Sequence, residues 1–378
     1  MPGTTIPPLP HYVPAPPTKE DLEWADLAVI DLSKASTPEG RAELAPKVRD
    51  AMRTYGFMYV VNHGLTQAQN DRIFDIADVP FSQVPEDEKK KFTHDIKATG
   101  LYKWYKLRQY WHIDNGVRDQ IEHYNMHRQI VNQDNPRALQ PFLPEIRAFA
   151  EHNHYNILHP ILRLLARGME LPEETFVDMH GFDHKGEGWI RFMKYYPRTK
   201  EDEDKTKNVW LKGHMDFGTI TILWSQPVSA LQIMSPDGKW RWVKHMDNAL
   251  VINAGEAMEF LSRTRPDRNG RERQREQSPS AELHPVSLSS SKRQRGRVKK
   301  WAGGRRVDAS SYLRPPDGLL ISAHLYQRSL LVTRRALRND RSGTLISTIG
   351  RLMRGHQVRA EVPHGSLVSP PTPKCRPR

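Results

Sequence analysis

The hydrophobic period of this chain changes once, near residue 188, and that change limits the folds open to it. Before it, apolar residues recur at helical spacing. Leu44, Val48, Ala51, Met52 and Tyr55 follow Thr37 and Pro38, which predicts an amphipathic helix ended by Gly56. Ile73, Ile76 and Ala77 mark the inward face of a second helix near residues 66–78, and PEDEKKKF reads as a short helix on the solvent side. Apolar positions from Pro144 to Met169 describe a long helix with a kink at Pro160, and LPEETF reads as one more helix. Two strands interrupt this region, LAVIDL and the buried FMYVVN. Beyond the change come WIRFMKYYP, HMDFGTITILW, ALQIMS, KWRWVKH and ALVIN, short β-branched or aromatic runs with a hairpin signal at Asp237-Gly238. Helices first and serial antiparallel strands second predict an α+β chain closing on a small β-sandwich or jelly roll.

This grammar stops at Ser262. From Arg263 onward there are 26 Lys and Arg against 8 Asp and Glu, whereas the residues before it carry 31 against 36. The net charge of +13 therefore belongs to an Arg- and Ser-rich tail without a sustained period. The expected organisation is a Pro-rich arm over 1–20, an N-terminal region over 21–140, a helix and β core over 141–262, and a basic, low-complexity, disordered tail over 263–378. Within the tail, DGLLISAHLY, SLLVT and TLISTIGRLM are isolated apolar runs with no tie to the preceding strands. SKRQRGRVKKWAGGRR invites a nucleic-acid reading, but a solvated tail accounts for it and nucleic acid is not the expected partner. The single cysteine, Cys375, excludes an internal disulfide framework and a Cys-based zinc site. With no signal-like N-terminus and no run of 18 apolar residues, a cytoplasmic protein without membrane association is expected. Oligomeric state is not legible.

KGHMDFGTITIL holds the chemistry. If His214 and Asp216 lie on a strand, alternation puts both on one face, close enough to grip one ion. An imidazole and a monodentate carboxylate make up two-thirds of a 2-His-1-carboxylate triad, which leaves one side of Fe(II) open. A polar pair at an exposed strand end is the competing reading.

Four blocks in order resemble the isopenicillin N synthase-like iron(II)/2-oxoglutarate-dependent dioxygenases: YGFMYVVNHGL, IRFMKYYPRT, KGHMDFGTITIL, and ALQIMSPDGKWRWVKHMDNALVINAGEAMEFLS. The resemblance spans residues 27–262. It implies a double-stranded β-helix, a cupin-like jelly roll, behind a mainly helical N-terminal region. It implies Fe(II), 2-oxoglutarate as co-substrate, ascorbate as an accessory reductant, and O2 with a small-molecule substrate as partners, with release of succinate and CO2. By position, His214 and Asp216 would bind the metal. Tyr196 would contact a carboxylate of 2-oxoglutarate, unless it is a core aromatic capping a strand end. Lys194 stands where plant members often carry asparagine, and His63 reads as a structural turn residue.

The pattern then breaks. A second histidine, due some 50 to 60 residues after the aspartate, and an Arg-x-Ser motif about ten residues further on are both missing from their places. His284 is followed by Pro285, which opposes a continuing strand, and His324 lies about twice the usual distance away. The expected β-helix is thus incomplete at its C-terminal end, and a catalytically inactive relative is the alternative to an active oxygenase.

Overall fold

The computed structural model describes residues 7–262, except 94, 100–101, 131–132, 185–187 and 225–226, together with a strand at 318–325. Its strands are β1 Val29–Asp31, β2 Phe57–Val61, β3 Trp104–Lys106, β4 His112–Asp114, β5 Val117–Arg118, β6 Ile121–His127, β7 Gly188–Tyr195, β8 Ile220–Trp224, β9 Gln232–Met234, β10 Trp240–Trp242, β11 Leu250–Ala254 and β12 Gly318–Leu325. Eight of them form one sheet in the order β1-β2-β11-β8-β12-β7-β6-β3; β9 with β10 and β4 with β5 form two hairpins.

Helix α1 (Pro38–Thr54) begins where expected, because the Thr37 side chain accepts from the Gly40 amide. It ends just before Gly56, whose φ of 72° lets the chain reverse into β2. A full capping box, Thr66 with Gln69, opens α2 (Gln67–Ser82). The short α3 (Glu86–Lys91) is not wholly a solvent-side helix: Lys89 is buried and pairs with Glu122 of β6 at 3.0 Å. A four-residue α4 (Ile96–Thr99) follows. The long helix resolves into α5 (Leu143–His152) and α6 (His159–Gly168), joined by a π-helical turn over Asn153–Leu158. Pro160 has no N–H to bond back to the Asn156 carbonyl and its ring crowds that carbonyl, so the irregularity falls in the turn just before the proline. LPEETF contributes only a 3-10 turn, Glu173–Thr175.

Alternation along the strands divides the sheet into two faces. Ile190 and Phe192 of β7, Ile220, Ile222 and Trp224 of β8, and Leu250 and Ile252 of β11 pack against α1, α2, α5 and α6 in the main core. On the other face Tyr59, Leu223 and Val251 meet Ile233 and Val243 from the β9–β10 hairpin. Gly238 (φ 77°) makes the hairpin turn that the Asp237-Gly238 pair predicts. The helices α7 (Lys200–Thr206) and α8 (Glu256–Ser262) flank the segment that enters β8 and the end of β11. None of the helices among the described residues is long and apolar enough to cross a membrane.

One expectation is corrected. The run DGLLISAHLY is not isolated from the β pattern: β12 lies antiparallel between β7 and β8, pairing Ile321 with Phe192 and Trp224, and His324 with Trp189 and Thr221. The gap between two central strands is filled, so the sheet does not stop at Ser262. Sequence reading missed this because the partners are brought together by long-range register, with no local signal. SLLVT, TLISTIGRLM, His284 and the basic run near Trp301 lie outside the described residues.

Candidate metal centre

The segment carrying His214 and Asp216 is not itself a strand. β8 begins at Ile220, and residues 212–216 form an extended approach to it. The backbone is nonetheless fixed there. The Glu256 amide donates to the Asp216 carbonyl (2.8 Å) and the Gly255 amide to the Thr219 carbonyl (3.1 Å). A Cβ at position 255 would fall 2.3 Å from the Gly218 carbonyl oxygen and 2.5 Å from that of Asp216, so this approach admits only glycine without displacement.

Two side chains then converge. His214 Nε2 and Asp216 Oδ1 are 3.7 Å apart. That is beyond hydrogen-bond range, yet inside the roughly 4.2 Å separation that two ligands of one first-row divalent ion can span. Each group is set by its other atom. His214 Nδ1 lies 3.0 Å from the Lys212 carbonyl oxygen; a carbonyl only accepts, so Nδ1 carries the proton and Nε2 presents its lone pair. Asp216 Oδ2 accepts from the Thr221 hydroxyl (2.8 Å) and from Asn253 Nδ2 (3.0 Å), which turns Oδ1 toward the imidazole. The pair opens to solvent on the histidine side, with His214 46% exposed and Asp216 16%. This donor chemistry and spacing fit a divalent transition metal. Among the described residues no group of three His, Cys, Asp or Glu is placed to hold one.

Register orders the surroundings into two rows on this face. Asn253, Thr221, the backbone of His324, Trp189 and His127 stand side by side across β11, β8, β12, β7 and β6; Val251, Leu223, the backbone of Ser322, Arg191 and Asn125 form the next row. His324 is therefore brought, at the level of its backbone, into the row that anchors Asp216. Thr221 and Asn253 were missed by sequence reading. The available signal was a polar residue inside an otherwise apolar, buried strand, at the centres of ITI and INA.

Tyr196 stands elsewhere. Its hydroxyl donates to Glu122 Oε2 (2.8 Å), Glu122 is also the partner of buried Lys89, and burial beside that carboxylate pushes the phenol pKa up. Tyr196 can serve another carboxylate only by exchanging Glu122. Lys194 donates to Asp78 of α2 at 2.9 Å. His63 is buried edge-on against Trp224 at 5.1 Å, and its carbonyl lies 2.8 Å from His152 Nε2, a structural placement. A second histidine group, His154, His159 and His180, lies around the π-helical turn and the 3-10 turn that follows α6. Burial holds His154 at about 3 and His180 at about 4, and lowers His159 as well.

Comparison with known proteins matches residues 27–145 to the non-haem dioxygenase N-terminal model described from morphine synthesis, and residues 189–276 to the 2OG-Fe(II) oxygenase superfamily model. The 2-oxoglutarate-Fe(II) type oxidoreductase hxnY of Emericella nidulans is 26% identical over 259 residues, covering 63% of this chain and 72% of that protein. Leucoanthocyanidin dioxygenase of Malus domestica is 26% identical over 255 residues, 65% of this chain and 68% of that protein. The crystal structure of a 2OG-Fe(II) oxygenase family protein from Caulobacter crescentus superposes with a TM-score of 0.55 at 16% identity, covering 87% of this chain and 99% of that one. At that identity the likeness is one of fold, and the fold is the jelly roll of 2OG-Fe(II) oxygenases.

Proposed function

The chain belongs to the 2OG-Fe(II) oxygenase superfamily, and from that membership we propose that it oxidises a small organic substrate at the His214 and Asp216 pair. One observation carries the reading: Nε2 and Oδ1 face each other at 3.7 Å while the remaining heteroatom of each group is held by another partner. Fe(II) with 2-oxoglutarate and O2 supplies the oxidising power, one oxygen atom going to the substrate and the other to succinate as CO2 leaves. His214 Nε2 and Asp216 Oδ1 would hold the metal. The Lys212 carbonyl fixes the imidazole tautomer, and Thr221 with Asn253 keeps the carboxylate monodentate. Tyr196 would contact 2-oxoglutarate on exchanging Glu122. Exposed Phe217 follows Asp216 directly, and the Trp240 ring lies 3.0 Å from where a Cβ on Gly213 would stand, so an apolar substrate face suits this mouth.

The test is succinate formation from 2-oxoglutarate with Fe(II) and ascorbate, alongside metal titration of the purified chain. His214→Ala should abolish both turnover and tight metal binding; turnover that survives it removes the assignment. The second reading, an inactive relative acting as a binding module, is favoured by the count of two metal donors among the described residues. The register position of His324 beside Thr221 supports a third donor from β12. Under the active reading His324→Ala weakens metal binding at least tenfold; under the inactive reading it changes nothing.

A further inference from the structure

We propose that His180 is a positioning residue for the metal centre, holding the bend between Asp216 and β8 in place from the helical layer; the inference rests on the assignment of His214 and Asp216 above. The bend has little packing of its own. Phe217 within it is 56% exposed, and the ladder of β8 starts only at Ile220. Its backbone is tied twice, the Asp216 carbonyl to the Glu256 amide and the Thr219 carbonyl to the Gly255 amide. Both ties come from adjacent residues at the start of α8, so by themselves they leave the bend free to turn about that point. The fully buried Thr219 side chain supplies a tie from another layer, its hydroxyl lying 2.7 Å from His180 Nε2.

His180 is arranged to receive that hydroxyl. Its Nδ1 lies 2.6 Å from the Phe176 carbonyl oxygen; a carbonyl only accepts, so Nδ1 carries the proton and Nε2 is left as the acceptor. Burial lowers the imidazole pKa to about 4, which keeps this tautomer neutral at ordinary pH. The turn behind the ring is itself anchored. Phe176 is buried in the main core, and the His180 amide donates to the Val177 carbonyl at 2.9 Å. The preceding 3-10 turn is held by Arg41 of α1 and Arg167 of α6, both on Glu173 (2.9 and 2.7 Å), and by Arg163 of α6 on Glu174 (2.6 Å). Contacts therefore run from α1 and α6 through His180 to a residue three positions after the carboxylate. Thr221 and Asn253 aim the Asp216 side chain from the sheet; His180 fixes the backbone that carries it.

Replacing the imidazole by carboxamides separates its two bonds. In His180→Asn the amide nitrogen takes the place of Nδ1, which keeps the Phe176 bond and loses Thr219. In His180→Gln the carboxamide reaches the place of Nε2 and accepts from Thr219. The experiment is anaerobic titration of the full chain with Mn(II) for wild type, both variants, Thr219→Val and the His180→Asn/Thr219→Val double variant, with thermal melting of each apo chain. His180→Asn and Thr219→Val should each weaken Mn(II) about tenfold, His180→Gln by less than about threefold, and the double variant no further than either single one. A lowered melting temperature with unchanged Mn(II) affinity marks a merely structural histidine. Equal weakening in the Asn and Gln variants, or losses that multiply in the double variant, show that the Thr219 bond is not the route. Each of these overturns the proposal and leaves the oxygenase reading intact. Thr219→Val keeps the β-branched shape and decides alone where His180→Asn does not fold: wild-type affinity in it overturns the proposal. A wild-type chain that does not bind Mn(II) overturns both.

Discussion

Removing the two donors that hold Asp216 should loosen the metal before it disturbs the fold. Thr221→Val deletes the hydroxyl that donates to Oδ2 at 2.8 Å and keeps the β-branched shape; Asn253→Ala deletes the amide donor at 3.0 Å. A hydrogen bond to an ionised group is worth about 1.5–3 kcal/mol, and Asp216 is 16% exposed, so the lower end applies. Each single substitution should therefore cost about 1.5 kcal/mol of metal binding, close to tenfold in affinity. Both donors serve the same oxygen, so either alone retains part of the orientation. The double variant should lose more than the product of the single losses, that is, more than about a hundredfold. Titration with Mn(II) or Fe(II) under anaerobic conditions gives the affinities, and thermal melting of the apo chain reports the fold. If the double variant melts normally and binds metal within twofold of wild type, the carboxylate is not positioned by these bonds and the reasoning fails.

Three further outcomes follow from the geometry. His154 and His180 are buried neutral, with folded values near 3 and 4 against an ordinary 6.5, so the unfolded chain binds more protons in acid; stability is full above pH 6.5 and declines as pH falls toward 4, by roughly 3 kcal/mol from His180 alone. Urea unfolding at a series of pH values should show that slope, and a flat profile from pH 7 to 4.5 refutes it. Gly255→Ala forces a methyl against two backbone carbonyls, at 2.3 and 2.5 Å, and should destabilise by about 1–3 kcal/mol while lowering metal affinity; denaturation and titration of the same variant check both. Ala323→Pro sits mid-strand between Ile190 and Ile222 and should cost about 3 kcal/mol or more by breaking the ladder of a central strand. An unchanged unfolding midpoint in that variant would remove β12 from the sheet.

The reading of residues 27–262 succeeds where the physics is local. Thr37 and Gly56 mark the ends of α1 because a capping side chain and a positive φ each act within a few positions of the chain, and Asp237-Gly238 turns its hairpin for the same reason. Local spacing also misleads in places. Lys89 looks like part of a solvent face although Glu122 holds it inside. His214 and Asp216 converge as expected, although strand alternation is not what joins them: they sit ahead of β8, and backbone bonds from α8 and the end of β11 shape the segment.

What the sequence by itself determined is the helical front, the serial strands behind it, and the pairing of His214 with Asp216 as candidate metal donors, since each is encoded by residues within a turn or a strand of one another. Tertiary structure alone decided which oxygen of Asp216 faces the imidazole, that Thr221 and Asn253 hold the other, and that Gly318–Leu325 returns to fill the sheet between β7 and β8. These depend on strand register across long stretches of chain. Register is fixed by the burial of whole faces, and no short window of sequence carries that information.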